Sequence, residues 1–467
     1  MADTQHDLVI IGSGSGGYVA AIRAGQLGLD TLVVEKDPLL GGTCLHRGCI
    51  PTKVLLHTAD LLQQAREGAK FGVVCSDVRL DLGAAHENRR KTVLKKAKGV
   101  EGLFKKNKVG WTQGIGRLAG NRTVEITRPD GTVDRVQAKN VILATGSRCG
   151  DLPFLAADGD RIINSDHALE LAEVPPRILV LGAGAVGMEF ASIFSRFGSK
   201  VTVVELLDRL LPLEDADVSA ELAKAFRRQG ITTYTATRVE EAKVEDGVVR
   251  CKAVAASGEA LNLEADKLLL AVGRQANFKG IGLESTRVQI ERGRIVVDEY
   301  CRTHEDGVYA IGDLLPTPWL AHVASMEGVL AVEHLAGKNP PPIDYGQVPS
   351  CTYCWPEVGT IGLQEAQARE KGYDVRTGSF PFSASGKAAI LGETAGFVKI
   401  VAEARYDEIL GVHIVGPHAT ELIAEAEAAL RGELTVEELV RTIHAHPTLH
   451  EAIHEAAEGV HGQMIHF

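Results

Sequence analysis

Two stretches of this chain share one hydrophobic pattern. Leu8-Val9-Ile10-Ile11 is an apolar run that ends at Gly12-Ser13-Gly14-Ser15-Gly16-Gly17; an Ala-rich stretch follows to Gly28, and a second run, Thr31 to Val34, closes on Glu35. The order returns at Arg177 to Leu181, Gly182-Ala183-Gly184-Ala185-Val186-Gly187, a stretch to Phe197, and Lys200 to Val204 closing on Glu205. Short apolar runs without alternation predict strands buried on both faces, and the longer stretch after each predicts a helix, so each copy reads as a βαβ unit. In such a unit the first glycine permits the tight turn, the second lets backbone approach a pyrophosphate, and the third lets helix pack on sheet. The acidic residue ending the next strand is placed to accept hydrogen bonds from ribose hydroxyls.

Further along, Val141 to Thr145 predicts a strand reaching Gly146, and Leu268 to Val272 one reaching Gly273-Arg274. Residues 299–313 predict a strand into Gly312-Asp313, with the aspartate near a ligand at a strand's carboxyl end. The first fold therefore resumes after the second is inserted. Pro340-Pro341-Pro342 reads as a linker, and Val348 to Phe467 as strands followed by acidic helices. The expected division is 1–149, 150–276, 277–345 and 346–467: an α/β chain with two Rossmann-like dinucleotide-binding domains and a C-terminal α+β domain. The lysine-rich run from Arg89 to Lys108, interleaved with Val93, Leu94, Val100, Leu103 and Phe104, predicts a helix with a solvated basic face.

Composition narrows the classes. With 467 residues, 45% apolar and 24% charged, the chain has ordinary globular composition and length for several domains. A net charge of −11 disfavours a non-specific nucleic-acid binder. No run approaches the ~18 apolar residues of a membrane span, and Met1 to Asp7 lacks the basic flank of a signal peptide, so a cytoplasmic location is expected. Eight cysteines are too sparse for a stapled secreted scaffold, so a disulfide here would be chemical rather than structural.

Cys44 and Cys49 follow the first βαβ unit, in Gly41-Gly42-Thr43-Cys44-Leu45-His46-Arg47-Gly48-Cys49-Ile50-Pro51-Thr52-Lys53. In an ideal helix residues five apart lie roughly 8.6 Å apart, beyond the ~7 Å limit for a disulfide, so a bridge requires an irregular turn, which Gly48 permits. Pro51 suits the first position of a helix running to about Gln64, which sets Cys49 beside that helix's N-terminus, where a thiolate is stabilised. Lys53 adds positive charge one turn on. Cys351 and Cys354 form a CxxC with no second pair, and read as packed thiols.

The C-terminal His444-Ala445-His446-Pro447-Thr448-Leu449-His450-Glu451 admits two chemistries. His450, Glu451 and His454 spell H-E-x-x-H, a zinc-hydrolase pattern on a helix, but no clear third ligand follows. Alternatively His446 serves as acid/base, with Glu451 fixing its tautomer. Spacing alone leaves both open, together with solvated or core histidines.

In order along the whole chain, the glycine-rich start, the Cys44/Cys49 segment, the second fingerprint, Ala310-Ile311-Gly312-Asp313 and His446-Pro447-Thr448-Leu449-His450-Glu451 resemble the flavoprotein disulfide reductases. The resemblance implies an FAD domain, an inserted NAD domain, and a C-terminal dimerisation domain. It assigns to FAD Gly12, Gly14 and Gly17 at the pyrophosphate, Glu35 at the ribose, the neighbouring Lys36, Gly42 to Cys44 (with Thr43 between), Gly116, Thr145, Gly146 and Ser147, Asp313, and Trp319, Leu320, Ala321 and His322. Lys53 is implied near the flavin, paired with Glu189. To NAD it assigns Gly182, Gly184, Gly187, Glu189, Glu205, Val239 and Gly273. Glu205 favours NAD, since a carboxylate accepts from a free 2′-hydroxyl and repels a 2′-phosphate.

The resemblance further implies a redox-active Cys44–Cys49 disulfide and a composite site in a homodimer, His446 and Glu451 coming from the other subunit. The implied substrate is a dihydrolipoyl group on a lipoyl-bearing protein of a 2-oxo acid dehydrogenase complex or glycine cleavage system, with another small disulfide as the alternative. Neither metal, membrane nor nucleic acid is implied. Two expectations from other classes stand beside it: the zinc hydrolase above and a non-catalytic nucleotide-binding scaffold. Leu45-His46-Arg47 departs from the Asn-Val that many relatives carry between the cysteines. Acidic residues from Glu421 to Glu438 suit a basic partner domain or an ordinary solvated face.

Overall fold

The computed structural model describes residues 5–467. They divide into two compact units, one holding residues up to Val54, Ala84–Cys149 and Arg274–Tyr345, the other Leu55–Gly83, Gly150–Gly273 and Gly346–Phe467.

The core of the first unit is a parallel sheet of strands Gly110–Gln113, Thr31–Glu35, Gln5–Ile11, Val133–Leu143 and Val308–Ala310, in that order. Register sets Ile11 opposite both Val34 and Leu143, and Leu143 opposite Ala310, so four carboxyl ends lie level. Leu8, Val9 and Ile10 are fully buried, as strands covered on both faces require. Two antiparallel strands, Thr123–Thr127 and Ile115–Leu118, extend the sheet beyond Val133–Leu143. Helix Ser15–Gln26 packs on helix Ala321–Leu335. They approach closely because Gly16 and Gly328 face each other; a side chain on either would run into the Ala324 or Gly16 carbonyl. Helix Leu82–Lys106 exposes its lysines and buries Ala97, Val100 and Phe104, while Arg89 is buried rather than solvated and Leu94 and Leu103 are exposed.

The long strand expected over 299–313 is not formed. Asp298 Oδ1 accepts from the Tyr300 and Arg302 N–H groups at 3.0 and 2.9 Å, folding the segment back, and only Val308–Ala310 pairs with the sheet before a 3₁₀ turn at Gly312–Leu314.

The second unit repeats the parallel design with strands Thr232–Tyr234, Lys200–Val204, Arg177–Leu181, Lys267–Leu270 and Ile162–Ile163. Val204 and Leu270 stand opposite Leu181. Besides a three-stranded antiparallel sheet of Thr237–Glu245, Val248–Ala255 and Ala260–Ala265, the unit holds a five-stranded antiparallel one in the order Ser350–Thr352, Glu357–Gly362, Ile409–Gly416, Phe397–Glu403, Val375–Pro381, with short helices Glu365–Glu370 and Gly386–Leu391 between strands. Helix Ala419–Arg431 covers Glu357–Gly362 and Ile409–Gly416, and helix Glu451–Val460 covers Val375–Pro381 and Phe397–Glu403. Gly359 and Gly378 bring these helices flush: a Cβ there would strike the Ala419 or Ala456 carbonyl. No helix among the described residues is long and apolar enough to cross a membrane.

Candidate active site: two nucleotide cradles, a disulfide and a histidine–carboxylate pair

Each βαβ turn forms the same cradle. Gly12 takes φ +105° and Gly182 +103°; a Cβ on Gly17 would strike the Gly12 carbonyl, and one on Gly187 the Gly182 carbonyl. Gly14 and Gly184, by contrast, have open space where a Cβ would sit. That is the concavity a pyrophosphate needs, at the N-terminus of a helix. Glu35 is buried; its carboxylate accepts from Ser13 N–H at 2.8 Å, Ser13 Oγ at 2.6 Å and Asp37 N–H at 2.9 Å. Glu205 accepts from Ala183 N–H at 2.6 Å and Leu207 N–H at 2.8 Å. Both acids are thus fixed at the rim by backbone donors. Lys36 next to Glu35 is exposed.

At the level carboxyl ends of the first sheet the other FAD-assigned residues gather. Thr145 Oγ1 donates to Asn277 O at 2.6 Å, and Asn277 N–H returns a bond to Gly146 O at 2.8 Å. Ser147 Oγ donates to Asp313, and Arg274 Nε donates to Ser147 Oγ at 2.7 Å. Trp319 Nε1 donates to Leu315 O at 3.0 Å beneath the Arg294 guanidinium, 3.9 Å from the ring centre, and Leu320, Ala321 and His322 open the helix that follows. Gly116 packs on Ile11 and Val34. In the second unit, Glu189 is buried and accepts from Tyr353 N–H at 3.1 Å, Val239 is buried in strand Thr237–Glu245, and Gly273 lies three residues past strand Lys267–Leu270 at φ +106°.

Buried Glu327, on helix Ala321–Leu335, was missed by sequence reading. It accepts from Gly312 N–H at 2.6 Å, Thr317 Oγ1 at 2.7 Å and Tyr345 OH at 3.0 Å, and burial pushes its carboxyl above the ordinary carboxylate value. Arg274 and Asn277 were likewise unassigned. Their only trace in the sequence is their place just after Gly273.

Cys44 and Cys49 form a disulfide with Cα atoms 4.7 Å apart. Helix Gly42–Arg47 breaks at Gly48, and a new helix, Cys49–Glu67, starts at the second cysteine. This break supplies the irregular turn that the spacing demanded. Pro51 falls at the third helical position, not the first, and the helix runs to Glu67 rather than Gln64; first-turn N–H groups have no intrahelical acceptor, so proline is tolerated there as well. Lys53 stands half-buried one turn on. The segment is tied to the first cradle: Gly41 N–H donates to Ser13 Oγ at 3.1 Å, and a Cβ on Gly42 would strike Gly14 Cα. The unusual His46 and Arg47 serve the same end, His46 Nε2 donating to Leu40 O at 2.8 Å and Arg47 pairing with Asp37.

In the second unit His446 Nδ1 lies 2.8 Å from Glu451 Oε1, and Thr448 N–H donates to Glu451 Oε2 at 2.9 Å. The His446 side chain is 77% exposed. Burial raises the Glu451 carboxyl, but the bonds from His446 and Thr448 outweigh it and hold the group below the ordinary range. An ionised Glu451 keeps the imidazole proton on Nδ1 and leaves Nε2 as a base facing outward. The H-E-x-x-H residues do not converge: His450 Nδ1 meets Glu425 at 2.5 Å, and His454 Nε2 lies 3.8 Å from Glu458. Among the described residues no group of three or more His, Cys, Asp or Glu is placed to hold a metal ion. Neither Cys351 nor Cys354 is in a disulfide, and Cys354 is buried.

A family model of pyridine nucleotide-disulphide oxidoreductases matches residues 6–328, and the model of that family's dimerisation domain matches residues 348–457. The chain belongs to the pyridine nucleotide-disulphide oxidoreductases. This pyridine nucleotide-disulphide oxidoreductase is 46% identical over 476 residues to the dihydrolipoyl dehydrogenase of Bacillus subtilis, covering 99% of this chain and 100% of the other. It is 42% identical over 465 residues to the mitochondrial dihydrolipoyl dehydrogenase of Pisum sativum, covering 99% of this chain and 93% of the other. The crystal structure of LpdA from Mycobacterium tuberculosis superposes with a TM-score of 0.89 at 28% identity, covering 97% of this chain and 99% of that one. As a pyridine nucleotide-disulphide oxidoreductase it uses FAD and NAD, and the two open glycine cradles with their rim carboxylates fit two dinucleotides. Its dimerisation domain supports a homodimer.

Proposed function

We propose that the protein oxidises dihydrolipoamide carried on a lipoyl-bearing protein of a 2-oxo acid dehydrogenase complex or glycine cleavage system, and reduces NAD⁺ to NADH, in the cytoplasm. The observation that carries this reading is the Cys44–Cys49 disulfide packed directly against the first nucleotide cradle. The six cysteines elsewhere among the described residues form no disulfide, which suits a reducing compartment.

In this reading the first cradle, through Gly12, Gly14, Gly17 and Glu35, takes FAD, and the second, through Gly182, Gly184, Gly187 and Glu205, takes NAD. When bound, FAD supplies the two-electron relay between the cysteine pair and the nicotinamide. One protomer's His446–Glu451 pair serves its partner's disulfide. His446 Nε2 removes a thiol proton from the substrate, and the thiolate attacks Cys44 Sγ, forming a mixed disulfide as the Cys44–Cys49 bond breaks. Cys49 leaves as a thiolate, stabilised by the N-terminus of the helix it begins. The second substrate thiolate displaces Cys44, so the substrate becomes a disulfide and the enzyme a dithiol. Glu451 holds the imidazole in the accepting tautomer and offsets its charge once protonated.

Replacing Cys44 or Cys49 by serine is expected to abolish NADH formation from dihydrolipoamide while FAD stays bound, as its visible absorbance reports. Normal dihydrolipoamide turnover by Cys49→Ser would overturn the assignment.

A further inference from the structure

His446 stands out into solvent on a connection between helices, yet a base must be held in place to act. The acidic helix Ala419–Arg431 offers an anchor. Each oxygen of Glu425 takes one imidazole: Oε1 lies 2.6 Å from His444 Nε2, and Oε2 lies 2.5 Å from His450 Nδ1. Those histidines bracket His446 in the sequence, so a single carboxylate fastens both ends of the segment that carries it.

The anchor is rigid. Leu422, Ile423, Ala426, Ala429 and Leu430 bury the helix against its sheet, and Gly359 lets it lie flush. His444 is 9% exposed and its ring packs at 5.5 Å from that of His454. Its Nδ1 faces Thr442 O at 3.0 Å, so both ring nitrogens face acceptors.

We propose that Glu425 is a positioning residue for the His446–Glu451 pair, fastening the segment 444–450 through His444 and His450 so that the outward Nε2 of His446 meets the substrate thiol. This rests on the reading of His446 as the base. A base displaced by an ångström loses rate without losing substrate affinity, so the signature is a fall in kcat confined to thiol chemistry.

The test compares wild type, Glu425→Ala and Glu425→Gln, each as FAD-loaded dimer, in dihydrolipoamide:NAD⁺ turnover and in NADH oxidation by an artificial electron acceptor, which bypasses the thiol step. Glu425→Ala is expected to lower kcat with dihydrolipoamide about 10-fold or more, Glu425→Gln less, with KM for NAD⁺ and artificial-acceptor turnover kept within about two-fold. Unchanged dithiol turnover in both variants would overturn the proposal. So would a parallel fall of both activities in Glu425→Gln, which decides the matter if Glu425→Ala does not fold. A wild type without dihydrolipoamide turnover would sink the underlying reading instead, and the positioning role with it.

Discussion

The pairing of Glu451 with His446 sets a measurable rate. In Glu451→Ala two hydrogen bonds vanish, from His446 Nδ1 at 2.8 Å and from Thr448 N–H at 2.9 Å. A hydrogen bond to a charged group contributes about 1.5–3 kcal/mol, and here it selects tautomer and ring orientation. Once His446 takes the proton, the carboxylate also attracts it, by about 1 kcal/mol at 4 Å in water and about 4 kcal/mol at an effective dielectric of 20. His446 is 77% exposed, which argues for the low end of that range. Together the losses come to roughly 3–4 kcal/mol, or on the order of 10²- to 10³-fold in kcat. Glutamine is milder but not harmless, because its single carbonyl oxygen must serve two N–H donors. The assay is NADH formation from dihydrolipoamide, with artificial-acceptor turnover and bound FAD as controls. A Glu451→Ala enzyme keeping more than about a tenth of wild-type kcat would refute the reasoning, as would equal losses in both activities.

Two further substitutions probe buried charge. Glu327 has a folded-state carboxyl raised by burial, so the folded protein holds its proton more tightly than the unfolded chain. Stability therefore falls as pH climbs from the ordinary carboxylate value to the raised one, and the cost persists above it. Glu327→Gln should flatten melting temperature against pH in that window, and an unaltered profile would contradict the sign. Lys399, 6% exposed, contacts Asp215 at 3.1 Å and Glu365 at 2.9 Å and also pairs with Asp217. Lys399→Met strands the buried Asp215 carboxylate and should cost about 3–5 kcal/mol in denaturant unfolding. An unchanged midpoint would show that the pair does not carry that load.

What the sequence made legible was whatever rests on local chemistry. The runs at Leu8 and Arg177 are apolar enough to be strands wherever they sit, and the tight turns after them demand glycine, so both βαβ units could be read to within three residues. Gly48 announced the break that brings Cys44 to Cys49. Other features depend on partners distant in sequence. Asp298 folds back a segment whose apolar residues read as one strand, Arg274 matters because it reaches Ser147, and Glu327 because the chain returns Gly312 to it. Glu425 looked like one acid among many on a solvated helix. Only the folded chain sets His444 and His450 against its two oxygens.

Strand Ser147–Cys149 pairs antiparallel with strand Arg274–Ala276, and Arg274 stands opposite Cys149. The chain thus leaves the first unit after Cys149 and re-enters it at Arg274 at adjoining points of one narrow ribbon, about 5 Å apart across the pair. A two-residue hairpin would close that gap. Whatever is spliced between 149 and 274 leaves the path of the host fold unchanged, which makes this ribbon the natural seam for domain grafting, both in evolution and at the bench.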